Sequence, residues 1–190
     1  MRNLHLEKKG LRGLAIAESF TQKSKKSILA GVVMRRDFVI DGFVFGHTTI
    51  GGDDATDEIL MMYKKLDRQD ISYLLISGII ISMYNIVDLK KISKSLNIPV
   101  IGITYQESKG IDDAIKHHFP DSYETKLREY KELVEREKIT LHTSFDVYVR
   151  KEGCSLSDVK HLINDITVQG SFPEPLRVAQ LLAKTLLQEF

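Results

Sequence analysis

Apolar and polar positions follow two rhythms along this chain. Gly13 to Ser19 (GLAIAES) and Ile28 to Arg35 (ILAGVVMR) are short apolar runs with polar residues at their ends, a pattern that fits strands buried in a sheet. After the tight Arg36-Asp37 connection, Phe38 to His47 (FVIDGFVFGH) predicts a third strand. Connections this short make antiparallel neighbours, because a parallel return needs a crossover of about a dozen residues.

The rhythm changes at Gly51. Behind Asp54-Ala55-Thr56-Asp57, the residues Ile59, Met62, Tyr63 and Leu66 recur at helical spacing. Tyr73 to Ile76 predicts a strand, and a helix follows near Asn85 to Leu96, with Asn85 and Asp88 as an N-cap arrangement. Ile98 to Thr104 is another buried strand. Gly110 to Phe119 and the charged Ser122 to Glu137 predict helices. Residues 139–150 hold one short strand, Asp146 to Arg150. Ser155 with Asp158 caps a helix ending near Gly170, and Pro175 begins the last one. Strands that alternate with helices pair in parallel, with helices over the faces. Three antiparallel strands followed by two parallel strands, flanked by helices, are the ribonuclease H-like α/β order. A doubly wound nucleotide-binding sheet would instead begin with a strand, a helix and a strand. One domain over residues 1–190 is expected.

The composition is ordinary for a globular chain, with 43% hydrophobic and 28% charged residues among 190, which excludes wholesale disorder and fibrous repeats. The 27 basic and 26 acidic residues leave a formal net charge of +1, so no global field advertises a partner. Locally the charge is uneven. Residues 1–36 hold nine basic side chains against Glu7 and Glu18, a local +7 that leaves −6 for the remaining residues. Such a field can meet a phosphate backbone, and Lys23, Lys25, Lys26, Arg35 and Arg36 are its candidate contacts. Solvation of hairpin tips is the alternative role for these side chains. The single cysteine, Cys154, permits no internal disulfide and no cysteine-based zinc site. The first residues lack the apolar stretch of a secretory signal, and the run Ile71 to Val87 is short of the roughly 20 residues a membrane helix needs. A cytoplasmic protein without a membrane partner is expected.

Familiar catalytic motifs are missing. There is no phosphate-binding Gly-x-x-x-x-Gly-Lys loop, no dinucleotide fingerprint and no Gly-x-Ser-x-Gly elbow. His117, His118 and His142 have no partner at a zinc-binding helical spacing, and a surface position is expected for them.

Three stretches carry a resemblance: Asp54-Ala55-Thr56 behind Thr49-Ile50-Gly51-Gly52, then Tyr84-Asn85-Ile86-Val87-Asp88, then Pro173-Glu174-Pro175-Leu176-Arg177-Val178-Ala179. In order and spacing the chain resembles endonuclease V and, more closely, a largely archaeal relative of it, domain-of-unknown-function family 99. The resemblance implies a ribonuclease H-like fold in which carboxylates on adjacent strand ends hold divalent metal and a phosphodiester is cut beside a deaminated base. Mg²⁺ or Mn²⁺ would take oxygen ligands and supply a hydroxide-like nucleophile. Two expected carboxylates are absent. The first-strand aspartate falls on Ala17, within Ala15-Ile16-Ala17-Glu18, and the aspartate expected before Gly78 is Ser77. The histidine that endonuclease V places before its penultimate helix falls near Glu152.

The carboxylates available to compensate are Glu18, Asp53 and Asp54 as metal ligands, with Glu18 and Asp54 in the catalytic role. Asp53, Asp54, Asp57 and Glu58 equally suit a helix's first turn, where acids offset the macrodipole. Glu18 is alternatively a loop acid paired with a basic residue of the hairpin. Arg177 either pairs an acid while packing the last helix or contacts substrate. Three functions follow: a DNA- or RNA-associated protein with a degenerate nuclease centre, an active metal-dependent endonuclease with rearranged carboxylates, or a non-catalytic scaffold.

Overall fold

Strands β1 (Arg12–Ser19), β2 (Lys26–Arg35) and β3 (Ile40–Thr49) pair as an antiparallel meander, as their short connections require. The computed structural model describes residues 4, 6–8, 10–21, 24–107 and 110–189. Helix α1 (Ala55–Leu66) crosses to β4 (Ile71–Ser77), which lies parallel to β1. A small hairpin, β5 (Ile80–Ile81) and β6 (Asn85–Ile86), precedes α2 (Leu89–Leu96), and β7 (Val100–Thr104) then adds in parallel beside β4. Helices α3 (Asp112–His118) and α4 (Tyr123–Lys131) lead to an antiparallel pair, β8 (Glu137–Thr140) and β9 (Asp146–Glu152). Helices α5 (Leu156–Asp165) and α6 (Glu174–Glu189) complete the chain. The main sheet runs β3-β2-β1-β4-β7-β9-β8. It is a mixed sheet flanked by helices, in the ribonuclease H-like order.

Side-chain alternation assigns the two faces. Leu14 and Ile16 of β1, with Leu74 and Ile76 of β4, pack with Ile59 and Met62 of α1 and Ile92 of α2. Ala15, Tyr73 and Leu75 face the opposite way, toward Val159 and Leu162 of α5 and Leu176 of α6. Ala17 continues this second face, beside Val32, Met34 and Ala179. Small residues on β1 let α6 lie close, and each fully buried Leu or Ile here contributes roughly 1.5–3 kcal/mol.

Several boundaries differ from the sequence reading, each for a local reason. The third strand starts at Ile40, because Phe38 adopts a positive φ in the turn after Arg35. Residues 139–150 belong to two strands rather than one. The polar Glu137–Thr140 segment buries only Ile139, and an edge strand needs no more. The charged helix stops at Lys131, well before Glu137. The helix capped by Ser155 and Asp158 has its full capping box but ends at Asp165 rather than near Gly170. Asn85 is not part of the α2 cap: Asp88 alone accepts the Lys91 N–H there, at 2.9 Å.

Candidate functional site

The carboxyl ends of β1, β4 and β7, with the loops after β3 and before β2, form the end of the sheet where the sequence-predicted site residues were placed. The β1–β4 register matches Ile16 to Ile76, so one further step sets Ala17 beside Ser77. Both positions are on the α5/α6 face by alternation. Ala17 is 2% exposed and offers only a methyl group. Ser77 offers a neutral hydroxyl near Tyr105, whose ring stacks on Phe172 at 4.1 Å between centroids. Burial raises the Tyr105 phenol above its ordinary range, with Ser77 and Arg177 opposing.

Glu18 points to the other face and is spoken for. Its carboxylate accepts the Ser82 N–H at 2.8 and 2.9 Å and the Ser82 hydroxyl at 2.6 Å. The expected basic partner is absent from its bonds among the described residues. Ser82 lies in a buried cluster with Ser27 and Thr48, the three hydroxyl oxygens 2.5–2.6 Å apart. Four close oxygen contacts share the three hydroxyl protons, counting that to Glu18, so one proton must go to the carboxylate and two remain for the triangle. This arrangement holds the β5–β6 turn, where Ser82, Met83 and Tyr84 take φ of 47°, 57° and 69° without a glycine. Gly78 takes φ 83° at the preceding bend, which suits glycine.

Asp54 stands at the N-cap position of α1, yet its side chain makes no cap bond. Its oxygens accept from the Thr49 N–H (3.0 and 3.1 Å), the Thr49 hydroxyl (2.7 Å) and Asn85 Nδ2 (2.7 Å). Burial works against its charge, but the bonds from Thr49 and Asn85 outweigh this and hold the carboxyl below its ordinary value of 3.8. Asn85, fully buried, supplies the missing cap: its Oδ1 accepts the Ala55 N–H at 3.0 Å, and its Nδ2 also donates to Thr49 O at 3.1 Å. It therefore caps a helix thirty positions away from it in sequence. Asp53 pairs at 2.5 Å with the ammonium of Lys126. Lys126 is itself buried, donates also to Gly52 O and Tyr84 O, and lies 4.8 Å from the Phe119 ring centroid.

A divalent ion does not fit these side chains. Ala17 has no donor atom, Ser77 has no charge, Glu18 is on the opposite face, the oxygens of Glu18 and Asp54 already accept protein N–H and O–H groups, and Asp53 is paired with Lys126. No group of three or more His, Cys, Asp or Glu placed to hold a metal occurs among the described residues. Glu152 ends β9.

The basic candidates separate as well. Lys25 and Lys26 are exposed at the start of β2, at the same end as Ser77, since Ile28 pairs with Ser19 at the carboxyl end of β1 and β4 runs parallel to β1. Arg35 is nine residues further along the extended strand, about 30 Å away at ~3.3 Å per residue. It pairs with Asp37 at 2.5 Å, and Arg36 pairs with Asp165 at 3.2 Å. The expected single basic patch is thus divided between opposite ends, and its Arg35-Arg36 half is neutralised. Lys23 lies outside the described residues. Arg177 pairs with Glu174 at 3.2 Å while still acting on Tyr105. His117 and His118 are exposed, as expected, and His118 lies 5.4 Å from the Tyr84 ring.

Two functional candidates escaped the sequence reading, Arg136 and Arg150, which line a cleft of about 500 Å³ at the ends of β4 and β7 with Tyr105 and Tyr130. They are fourteen residues apart, and no motif spacing signals that the β8–β9 ladder brings them together.

Comparison with known proteins bears on the fold and the family. A protein of Pyrobaculum calidifontis named UPF0215 is 30% identical over 171 residues, covering 90% of this chain and 93% of its own. A structure of an Archaeoglobus fulgidus protein of unknown function superposes with a TM-score of 0.79 at 24% identity, covering 93% of this chain and 98% of the other. Endonuclease V of Ciona intestinalis, solved with DNA containing inosine, superposes at 0.60 and 12% identity, covering 94% and 87%. These two structural likenesses are of fold. Residues 9–187 match the sequence profile described as endonuclease dU, and the chain belongs to that family.

Proposed function

We propose that this protein binds DNA or RNA at the carboxyl end of its sheet and that its metal-dependent nuclease centre is degenerate. The observation that carries the reading is the placement of Ala17 beside Ser77, on one face and on adjacent strands. Carboxylates at such neighbouring strand ends are what a Mg²⁺- or Mn²⁺-dependent phosphodiester hydrolase needs, and neither side chain supplies one. Glu18 and Asp54, the proposed replacements, act as acceptors that hold loops. Membership of a family described as endonuclease dU, and a fold shared with an endonuclease V that binds inosine-containing DNA, support nucleic acid as the partner. Lys25 and Lys26 are exposed cations at this end; Arg35 and Arg36 are remote from it.

The test is a gel shift with single- and double-stranded DNA and RNA in EDTA, across a salt series, with cleavage followed in Mn²⁺. Binding without cleavage is expected. Replacing Lys25 and Lys26 by Ala should weaken binding to all sequences alike and lower the salt slope by about 1–2. The same change at Arg35 and Arg36 should leave the slope unchanged. Cleavage by pure protein that EDTA abolishes and Asp54→Ala removes would establish the rearranged enzyme instead. Absence of binding at low salt would leave the scaffold.

A further inference from the structure

Arg136 and Arg150 take no part in the bonds of the acidic corner described above, although Ser77 and Tyr105 line their cleft. The β8–β9 register pairs Glu137 with Val149, so one further step sets Arg136 opposite Arg150. Like charges in that relation repel. Each guanidinium is nevertheless held firmly. Arg136 Nη2 donates to Thr104 Oγ1 at 2.9 Å and to Gln106 O at 2.6 Å, and its carbon lies 4.7 Å over the Tyr148 ring. Arg150 Nε donates to Val134 O at 2.6 Å, and Tyr130 lies close to it.

All these partners are carbonyls, hydroxyls or rings. Neither arginine makes an ion pair with a carboxylate among the described residues, and the buried Nε of Arg136 has no acceptor. The only acid among the described lining residues, Glu107, is exposed. Burial lowers the affinity of Arg150 for its proton; Tyr130 opposes that and Arg136 adds to it. The fold thus accepts the cost of two neighbouring, part-buried positive charges without a carboxylate partner among the described residues. Their cleft opens where β4 and β7 end, the position at which open parallel sheets receive ligands. Its volume of about 500 Å³ is that of a small-ligand site, and Ile79, Tyr105 and Tyr130 give it apolar and aromatic walls. Planar guanidiniums form paired, charge-assisted bonds to phosphate oxygens, and a dianion would neutralise both.

We propose that this cleft binds the phosphate of a nucleotide directly through Arg136 and Arg150, with no divalent ion, while the aromatic wall receives the base or sugar. The phosphate can belong to a free nucleotide or to a strand. The inference does not rest on the nucleic-acid reading.

The test is calorimetric titration of the full chain in EDTA at low salt with thymidine 5′-monophosphate, thymidine, and a thymidine octanucleotide without terminal phosphate. Amide NMR spectra of the unmutated protein accompany it. Thymidine is expected to bind at least tenfold more weakly than the monophosphate, and the phosphate ligands should shift the amides of Thr104, Gln106 and Arg150. Arg136→Gln and Arg150→Gln should each weaken phosphate binding at least tenfold. Tight binding of the monophosphate would assign a free nucleotide; an arginine-dependent response to the octanucleotide alone would assign a strand phosphate. Cleft amides that respond to neither ligand, glutamine variants that bind as the unmutated protein does, or a requirement for divalent metal would overturn the proposal. The spectra decide the matter even if a variant fails to fold. A chain that binds the monophosphate but shifts no nucleic acid would remove the nucleic-acid reading and leave the cleft standing.

Discussion

The acids and the arginines at the carboxyl end of this sheet are in opposite conditions. Glu18 and Asp54 are surrounded by N–H and O–H donors, and Asp53 has the ammonium of Lys126. Arg136 and Arg150 are just as firmly positioned but have no carboxylate partner among the described residues. A metal-dependent phosphodiester site requires the reverse, with free carboxylate oxygen to hold a cation that in turn holds phosphate. Among these five residues the charge left without an oppositely charged partner or a full set of donors is positive, so anions can be met directly. Negative charge, by contrast, has become part of the scaffold.

The most severe way to break this contrast is to restore the lost acids. Ala17→Asp places a carboxylate among Val32, Met34 and Ala179, at a position 2% exposed, and should cost about 3 kcal/mol or more in EDTA. Combined with Ser77→Asp, it sets two carboxylates side by side, and Mn²⁺ should then recover part of the loss in a urea melt. The pair Ala17→Asn with Ser77→Asn, equally bulky but neutral, should show no recovery. Equal responses to Mn²⁺ in the two double variants would mean that the missing charge is not what separates this corner from a metal centre.

Next in size is the loss of Asn85. Its side chain satisfies the Ala55 N–H in a buried setting and Thr49 O and Asp54 Oδ1 in a part-buried one. Asn85→Ala leaves the buried Ala55 N–H without an acceptor and removes a donor from the other two, and about 1–3 kcal/mol of stability should disappear, by the usual cost of an orphaned buried group. If Asp54 instead served mainly as a metal ligand, the variant would bind Mn²⁺ more weakly and keep its stability; denaturation in EDTA separates the two.

These residues also mark how far the sequence could be read. Buried strands such as Ile28 to Arg35 were legible because an apolar run has one consistent solution in a sheet, and the short connections then imposed antiparallel order. The exchange of acid for Ala17 and Ser77 was legible through the family resemblance, and the register sets the two side by side. Spacing assigns Asn85 to the cap of the helix that follows it, because spacing reports only local partners; its real partner lies at the start of α1. The β5–β6 turn gave no signal, since Ser82, Met83 and Tyr84 take left-handed backbone without glycine and are held by Glu18 from a distant strand. Glu137–Thr140 was obscured by its polarity. Charge counting makes one field of the basic amino-terminal third because it ignores strand length, and a ten-residue strand carries Lys26 and Arg35 to opposite ends.

The smallest effect expected concerns pH and tests whether Asp54 belongs to the scaffold. Its folded carboxyl is held below 3.8 by Thr49 and Asn85 in spite of burial. A carboxyl depressed by folding contributes stability that is present in full above its unfolded value and is lost as pH falls through the folded value. The loss should therefore begin near pH 4 and continue below it. Asp54→Asn has no such titration, so its deficit against the unmutated protein should be largest above about pH 5 and should narrow as pH falls from 4, in urea melts at fixed salt. High salt should reduce the effect little, because the donors are in direct contact with the carboxylate and are not distant charges open to screening. A deficit that stays constant from pH 6 to pH 3 would show that the ionised form gains nothing from Thr49 and Asn85. Asp54 would then be an idle carboxylate, of the kind a cation could still recruit.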